Sequence, residues 1–255
     1  YLIKKNISTL VMDSSDRPKG LLEFDDVNED NFFLGKFDLK VLDQVDKILV
    51  SPGIEYGNKI LVTARRKGIE ILTDIEIFIQ ESKSTKLLIT GTNGKTSVVS
   101  MLGHVLRNIY KNKEVICSGN IGTPVLDTLS KKQDISVIEV SSFHLEHSKN
   151  LKSDIGVLLN IEQDHLDRHL SFDSYKKIKE KILLNCNAGL ATKEVLRSVV
   201  SNAKEKGGED IETLPKGGLA FNFEDLAKPF EAEIYDYFKD KWPHHEIVNI
   251  KSVLS

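Results

Sequence analysis

Cysteine is scarce in this chain: Cys117 and Cys186 are the only two in 255 residues, and they lie in unlike surroundings. A disulfide framework or a thiolate metal site is therefore not expected, and a reducing compartment is. A basic excess is missing too. Lys and Arg number 35 against 38 Asp and Glu, a net charge of −3, whereas a nucleic-acid-binding surface calls for the opposite balance. No apolar run approaches the ~20 residues of a membrane span. No charged-then-apolar leader precedes a cleavage site. These absences point to a cytoplasmic protein without nucleic-acid or membrane partners. What remains, 40% hydrophobic and 29% charged residues, is the balance of a globular protein, and the length suits one or two domains. The first residue is Tyr1 and not methionine, so the natural start is expected to lie upstream.

Three zones are legible. Residues 1–81 hold short strand-type runs, Thr9–Met12 and Lys47–Val50, each followed by turn residues (Asp13 to Gly20; Ser51-Pro52-Gly53). A helix-like stretch, Lys59–Lys67, follows, which suggests a small parallel α/β domain. Residues 82–184 repeat the grammar more strongly. Lys86–Thr90, Ile135–Val140 and Ile155–Ile161 read as buried strands. Val98, Val99, Leu102, Val105, Leu106 and Ile109 mark one helical face, and Tyr175–Leu184 is a Lys-rich helix. Strand–turn–helix units in series predict a doubly wound sheet. Residues 185–255, with Gly207-Gly208, Pro215, Gly217-Gly218 and Pro229, read as loops and helices. Phe230, Ile234, Phe238 and Trp242 form a core-facing stripe there. The fold class expected is α/β: a small Rossmann-like N-terminal domain, then a partial P-loop doubly wound domain.

The sharpest local signal is Thr90-Gly91-Thr92-Asn93-Gly94-Lys95-Thr96-Ser97, placed where a strand ends and a helix begins. Backbone N–H groups at a helix start are unpaired and carry partial positive charge. Glycines let that backbone close around phosphate oxygens. Lys95 is then a candidate for neutralising terminal phosphates, and Thr96 for a hydroxyl ligand to Mg²⁺. The spacing is shorter than the common form, which would need glycine where Ile89 stands. The bland alternative is a Gly-Asn turn before a helix.

Two further strands deliver polar groups to the edge where open α/β sheets bind ligands. One leads into Glu139, Ser141 and Ser142. Glu139 suits Mg²⁺ but alone reads equally well as a surface carboxylate. The other leads into Asn160, Glu162, Asp164, His165, Asp167, Arg168 and His169, a density unlike core; a solvated charged loop is the plain reading, and zinc is disfavoured by phosphate chemistry. Lys179, one turn after Tyr175, reads by itself as a solvated helix lysine.

These residues resemble the Mur ligases. The loop Gly91 to Thr96 is similar to their ATP loop. Further matches fall in order: Ser51-Pro52-Gly53-Ile54, Asp74-Ile75-Glu76, Gly119-Asn120-Ile121-Gly122, Glu139 through Phe143, and Asn160 through Arg168. Several of them resemble the D-glutamate-adding branch most closely. The resemblance implies ATP-dependent ligation through an acyl phosphate, with UDP-N-acetylmuramoyl-L-alanine and D-glutamate as partners, by a monomer. It implies that Gly91, Thr92, Asn93, Gly94, Lys95, Thr96 and Ser97 bind ATP. Lys95 would stabilise the transferring phosphoryl group. Thr96 and Glu139 would hold one Mg²⁺, and His165 a second. Lys179 matches a lysine that the family carbamylates into a metal ligand. Asp13, Ser14, Gly53, Asn120 and Ser141 match positions that hold the UDP-substrate.

The chain also departs from the pattern. His144 stands where the resemblance leads one to expect Gln. The opening diphosphate turn is not recognisable, nor are the later central strands and the amino-acid domain after Leu184. A fragment inactive in overall ligation is therefore expected. Two other readings stand beside this one: a folylpolyglutamate-synthase-like ligase, which shares the ATP loop, and a non-catalytic nucleotide-binding module whose tail binds a partner.

Overall fold

A computed structural model describes residues 1–18, 28–120, 122–184, 186–191 and 220–222. The chain divides into two compact units, Tyr1–Thr73 and Asp74–Ser255.

In the first unit, β1 (Val11–Met12) pairs in parallel with β2 (Phe32–Phe33). A 3-10 turn, Leu39–Asp43, starts where the Asp38 carboxylate accepts the N–H of Lys40. It leads to β3 (Lys47–Leu49). Asn58 caps α1 (Lys59–Arg66) by accepting the N–H of Ile60, and Arg65 and Arg66 suit its carboxyl end. The chain then returns as β4 (Glu70–Leu72), parallel to β3. Leu42, Val50, Ile60, Leu61, Ala64 and Ile71 form the core. Full burial of each large apolar side chain is worth about 1.5–3 kcal/mol.

The second unit opens with α2 (Asp74–Glu81). The sequence grouped this segment with the first zone. Ile75 and Phe78 place it in the second, because both are buried in a cluster with Leu88, Ile138 and Leu158. β5 (Thr85–Thr90) leads to α3 (Lys95–Ile109), whose Val98, Val99, Met101 and Val105 are buried; Ile109, expected on the same face, is exposed. β6 (Val115–Gly119), β7 (Ile135–Glu139), α4 (Ser142–His147) and β8 (Ser153–Leu158) follow. Next come α5 (Leu166–His169), α6 (Phe172–Leu184), β9 (Cys186–Ala191) and β10 (Ala220–Asn222).

The sheet runs β10-β9-β8-β5-β7-β6 with every pair parallel. From β5 the chain crosses to the edge strand β6, returns to β7 between β6 and β5, then builds on the other side of β5 through β8 and β9. The switch point therefore falls at β5, and the crevice beyond its carboxyl end is where such sheets receive ligands.

The sheet continues past Leu184, where the sequence signal stopped. Cys186–Ala191 reads Cys-Asn-Ala-Gly-Leu-Ala, with no β-branched residue, and its strand character comes from pairing to β8. The stripe Phe230, Ile234, Phe238 and Trp242, and the glycines and prolines of the same zone, lie outside the described residues, as do Gly20, Ile121 and Asn185. Among the described residues no helix is long and apolar enough to cross a membrane.

Candidate active site

Thr90 ends β5, and Gly91–Gly94 turns the chain into α3. Gly94 sits at φ +76°, a left-handed conformation that a side chain would resist, directly before the helix. Lys95 then folds back over the turn. Its Nζ donates to Gly91 O at 2.9 Å and to Thr92 O at 2.8 Å. Burial lowers its pKa, opposed by Glu139 and Asp164. Thr96 Oγ1 donates to Glu139 Oε2 at 2.8 Å, and Asn120 Nδ2 donates to Glu139 Oε1 at 3.1 Å. Ser97 is half-buried in the first turn.

Glu139 is not a surface carboxylate. It is the last residue of β7 and is 2% exposed, since β5 and β6 flank that strand on both sides. Both of its oxygens are engaged.

The loop after β8 is bound to the phosphate loop more closely than the sequence indicated. Asn160 Oδ1 accepts the Asn93 N–H at 2.9 Å, Asn160 Nδ2 donates to Asn93 O at 3.2 Å, and Thr92 N donates to Asn160 O at 3.0 Å. Asn93 Nδ2 donates to Glu162 Oε2 at 3.1 Å, and the Tyr175 hydroxyl lies 3.0 Å from Thr92 Oγ1. Asn160, Glu162 and Tyr175 are thus site residues that sequence reasoning left without a role. Only their density after a strand signalled two of them.

Lys179 is not a solvated helix lysine. It is 2% exposed, and its Nζ donates to Gly91 O at 2.7 Å and to Thr90 Oγ1 at 3.5 Å, 4.9 Å from the centre of the Tyr175 ring. Burial, with the neighbouring charge of Lys95 second, brings its pKa down to about 7. The stripe Tyr175, Lys179, Ile182 and Leu183, all buried, explains the placement: Lys179 falls on the face that α6 turns inward.

His165 precedes α5 in a left-handed conformation (φ +50°), half-exposed, with Nε2 3.4 Å from Asp164 Oδ2 and its ring 4.9 Å from that of Phe143. The polar run around it is only partly solvated. Arg168 donates to Glu146 Oε2 through Nε at 3.1 Å and Nη2 at 2.8 Å, and stacks over Phe143 at 4.6 Å. His169 is buried, with Nε2 3.0 Å from Ser142 Oγ. These two close the base of α5 against α4.

Lys95, Asn120, Ser141, His165 and Lys179 line one cleft of about 130 Å³, together with Ser142, Phe143, Asp164 and Tyr175. Five expected residues from five separate segments therefore meet at the carboxyl edge. Asp13, Ser14 and Gly53 belong to the first unit. Asp13 follows β1, and its Oδ1 accepts the Ser15 N–H at 2.8 Å; Ser14 is exposed; Gly53 follows β3, with its N–H 3.4 Å from Ser51 Oγ. Among the described residues there is no group of three His, Cys, Asp or Glu placed to hold a metal ion.

A central parallel strand, a glycine turn closing on the following helix, and an acid on the adjacent strand define a P-loop α/β protein. The family model for the Mur ligase middle domain matches residues 89–241, and that for the Mur ligase MurD-like N-terminal domain matches residues 1–73. The chain belongs to the Mur ligase family. It is 43% identical over 184 residues to the UDP-N-acetylmuramoylalanine--D-glutamate ligase of Buchnera aphidicola subsp. Schizaphis graminum, covering 71% of this chain and 41% of that protein. It is 36% identical over 184 residues to the enzyme of the same name from Nitrosococcus oceani, covering 71% and 40%. Among solved structures, it is similar to UDP-N-acetylmuramate:L-alanyl-gamma-D-glutamyl-meso-diaminopimelate ligase from Neisseria meningitides (TM-score 0.48, 16% identity, 87% of this chain and 71% of that one). The chain spans about two fifths of the length of the two curated relatives.

Proposed function

We propose that this chain carries the nucleotide- and substrate-binding parts of a UDP-N-acetylmuramoylalanine--D-glutamate ligase, which uses ATP to add D-glutamate to UDP-N-acetylmuramoyl-L-alanine in peptidoglycan precursor synthesis. The observation that supports this reading is the meeting of Lys95, His165 and Lys179 around one cleft, with Glu139 bonded to Thr96 and to the Asn120 of that cleft. The curated relatives bear the same name. A cytoplasmic monomer completes the proposal.

ATP is a co-substrate in this scheme. The Gly91–Gly94 backbone would cradle its phosphates, with Thr92, Asn93 and Ser97 completing the loop, and Lys95 would leave its two carbonyl partners to neutralise the terminal phosphate. Mg²⁺ fits the residues present, because the Glu139 carboxylate and Thr96 hydroxyl offer hard oxygens at the loop. Bound there, it would supply neutralisation of phosphate charge. His165, and Lys179 once carbamylated, would hold or orient a second such ion. Asn120 and Ser141, with Asp13, Ser14 and Gly53 of the first unit, would bind the UDP-substrate.

In the reaction proposed, a carboxylate oxygen of that substrate attacks the γ-phosphorus and ADP leaves. The D-glutamate amine then attacks the acyl carbon, phosphate leaves with its bonding electrons, and the nitrogen gives up a proton to solvent or to the departing phosphate as the amide forms. Positioning and charge neutralisation supply the rate in such transfers. Titration calorimetry with Mg-ATP and with UDP-N-acetylmuramoyl-L-alanine tests the binding roles, and incorporation of labelled D-glutamate into UDP-dipeptide tests the ligation. Binding of both ligands is expected. A chain that binds neither overturns the proposal.

A further inference from the structure

α5 is a single turn, and both residues that bound it are left-handed without being glycine: His165 at φ +50° and Leu170 at φ +65°. That backbone crowds a side chain. One helical turn does not support itself either, because nucleation fixes several residues for very few hydrogen bonds. Such a conformation persists only where its surroundings impose it. Leu170 is 89% exposed, so its own packing does not hold the turn.

Two residues inside the turn grip α4 instead. Arg168 donates to Glu146 Oε2 from Nε at 3.1 Å and from Nη2 at 2.8 Å, and its guanidinium lies 4.6 Å over the Phe143 ring. His169 Nε2 lies 3.0 Å from Ser142 Oγ. The side chains of Arg168 and Glu146 are only 10% and 11% exposed, so this pair is not the solvated kind that contributes little. A planar guanidinium that is both paired and stacked also fixes direction, which a lysine ammonium does not. The grip passes straight to His165, whose carbonyl oxygen accepts the N–H groups of Arg168 at 3.1 Å and of His169 at 3.0 Å. Phe143 is shared: it lies under Arg168, and its ring centre is 4.9 Å from that of His165.

We infer that Arg168 and Glu146 are positioning residues for His165: their ion pair, packed on Phe143, clamps α5 to α4 so that His165 keeps its left-handed backbone and its place in the cleft. Because α4 starts directly after Ser141, the same clamp sets the spacing of two cleft residues from separate segments. The inference rests on the proposed function only in taking His165 to hold or orient a metal ion of the bound nucleotide.

The test uses the full chain, with Mg²⁺ and ATP as probes. Arg168→Ala strands a nearly buried carboxylate and can unfold the unit, so the deciding variant is Glu146→Gln combined with Arg168→Met. It removes both charges at similar volume, an exchange that often leaves stability intact. Proton cross-relaxation between the His165 and Phe143 rings is expected in the unaltered chain. It should be lost in the double variant at an unchanged melting temperature, and weakened in Arg168→Lys. The gain in ATP affinity on adding Mg²⁺ should fall by about 10- to 100-fold in the double variant, the usual cost of removing a residue that orients a metal ligand. Cross-relaxation that is missing from the unaltered chain, or undiminished in the double variant, overturns the inference. If the double variant melts early, Arg168→Lys carries the same comparison, and undiminished cross-relaxation there overturns it too. So does a full Mg²⁺ gain in the double variant when His165→Ala loses it. Failure of the ligase reading would appear differently, as a full Mg²⁺ gain in His165→Ala itself, with the ring contact still dependent on Arg168.

Discussion

Lys95 and Lys179 donate to the same acceptor, the carbonyl oxygen of Gly91, at 2.9 and 2.7 Å. Burial disfavours the charge of Lys179 most strongly, and the neighbouring ammonium of Lys95 adds to this, which is why Lys179 falls to about 7. Carbamylation requires the neutral amine. In ¹³C-bicarbonate, a carbamate signal should therefore grow as pH rises through about 7 and be missing from Lys179→Arg. A signal of equal size in that variant would exclude Lys179 as its source.

Lys95→Ala should weaken Mg-ATP binding by about 10- to 100-fold. A charge-assisted hydrogen bond is worth roughly 1.5–3 kcal/mol, and 1.4 kcal/mol is about tenfold. Titration calorimetry reads this directly, and equal affinities would remove Lys95 from the nucleotide site.

Glu139→Gln keeps the shape but offers one oxygen where Thr96 and Asn120 now use two. The ligand-free protein should lose only about 1 kcal/mol, the usual net value of one hydrogen bond. Magnesium should lose most of its effect on nucleotide affinity. A collapse of ligand-free stability with magnesium dependence intact would make the residue structural.

Acid should destabilise this protein by way of two histidines. Burial lowers the pKa of both His144 and His169, only partly offset by Asp74 and Glu146 respectively. The unfolded chain, with histidine near ~6.5, then binds more protons than the folded one on acidification. Stability from this source is intact above about 6.5 and declines as pH falls below it. Urea melts between about pH 7.5 and 5 should show that decline, and His144→Gln should flatten it. An identical slope in the variant would assign the acid limb to other groups.

Gly156 lets α6 lie directly on β8. A Cβ there would come within 2.4 Å of Ile182 O, a backbone atom that cannot swing aside. Gly156→Ala should cost about 1–3 kcal/mol through overpacking. It should also lower nucleotide affinity, because α6 carries Lys179. Unchanged melting temperature and affinity together would show that the helix has room to shift.

How much of this was legible in the sequence depended on whether the signal was local. β5, β7 and β8 are apolar runs, and α3 has a periodic face, so both appear from side-chain pattern alone. The turn Gly91–Gly94 announced itself because its glycines, Lys95 and Thr96 are adjacent in the chain. Burial of Glu139 and Lys179 was not legible, since it comes from neighbouring strands and a helix seat that no window contains. The inward stripe Tyr175, Lys179, Ile182, Leu183 was there to be read, but a lysine within it argues for the outside until its partner, the Gly91 carbonyl, is known. β9 was missed because Cys186–Ala191 has little strand preference of its own.

The side chain of Asn160 stands where a neighbouring peptide would stand in a ladder, taking the Asn93 N–H on its oxygen and returning an N–H to the Asn93 carbonyl. Its own carbonyl holds Thr92 as well. Asn160 thus contributes three of the hydrogen bonds that stitch the phosphate loop to the segment leading to His165, and these must break together if the two are to separate. Mechanically they are one piece, so a push on either end is felt at the other without any helix or strand having to move between them.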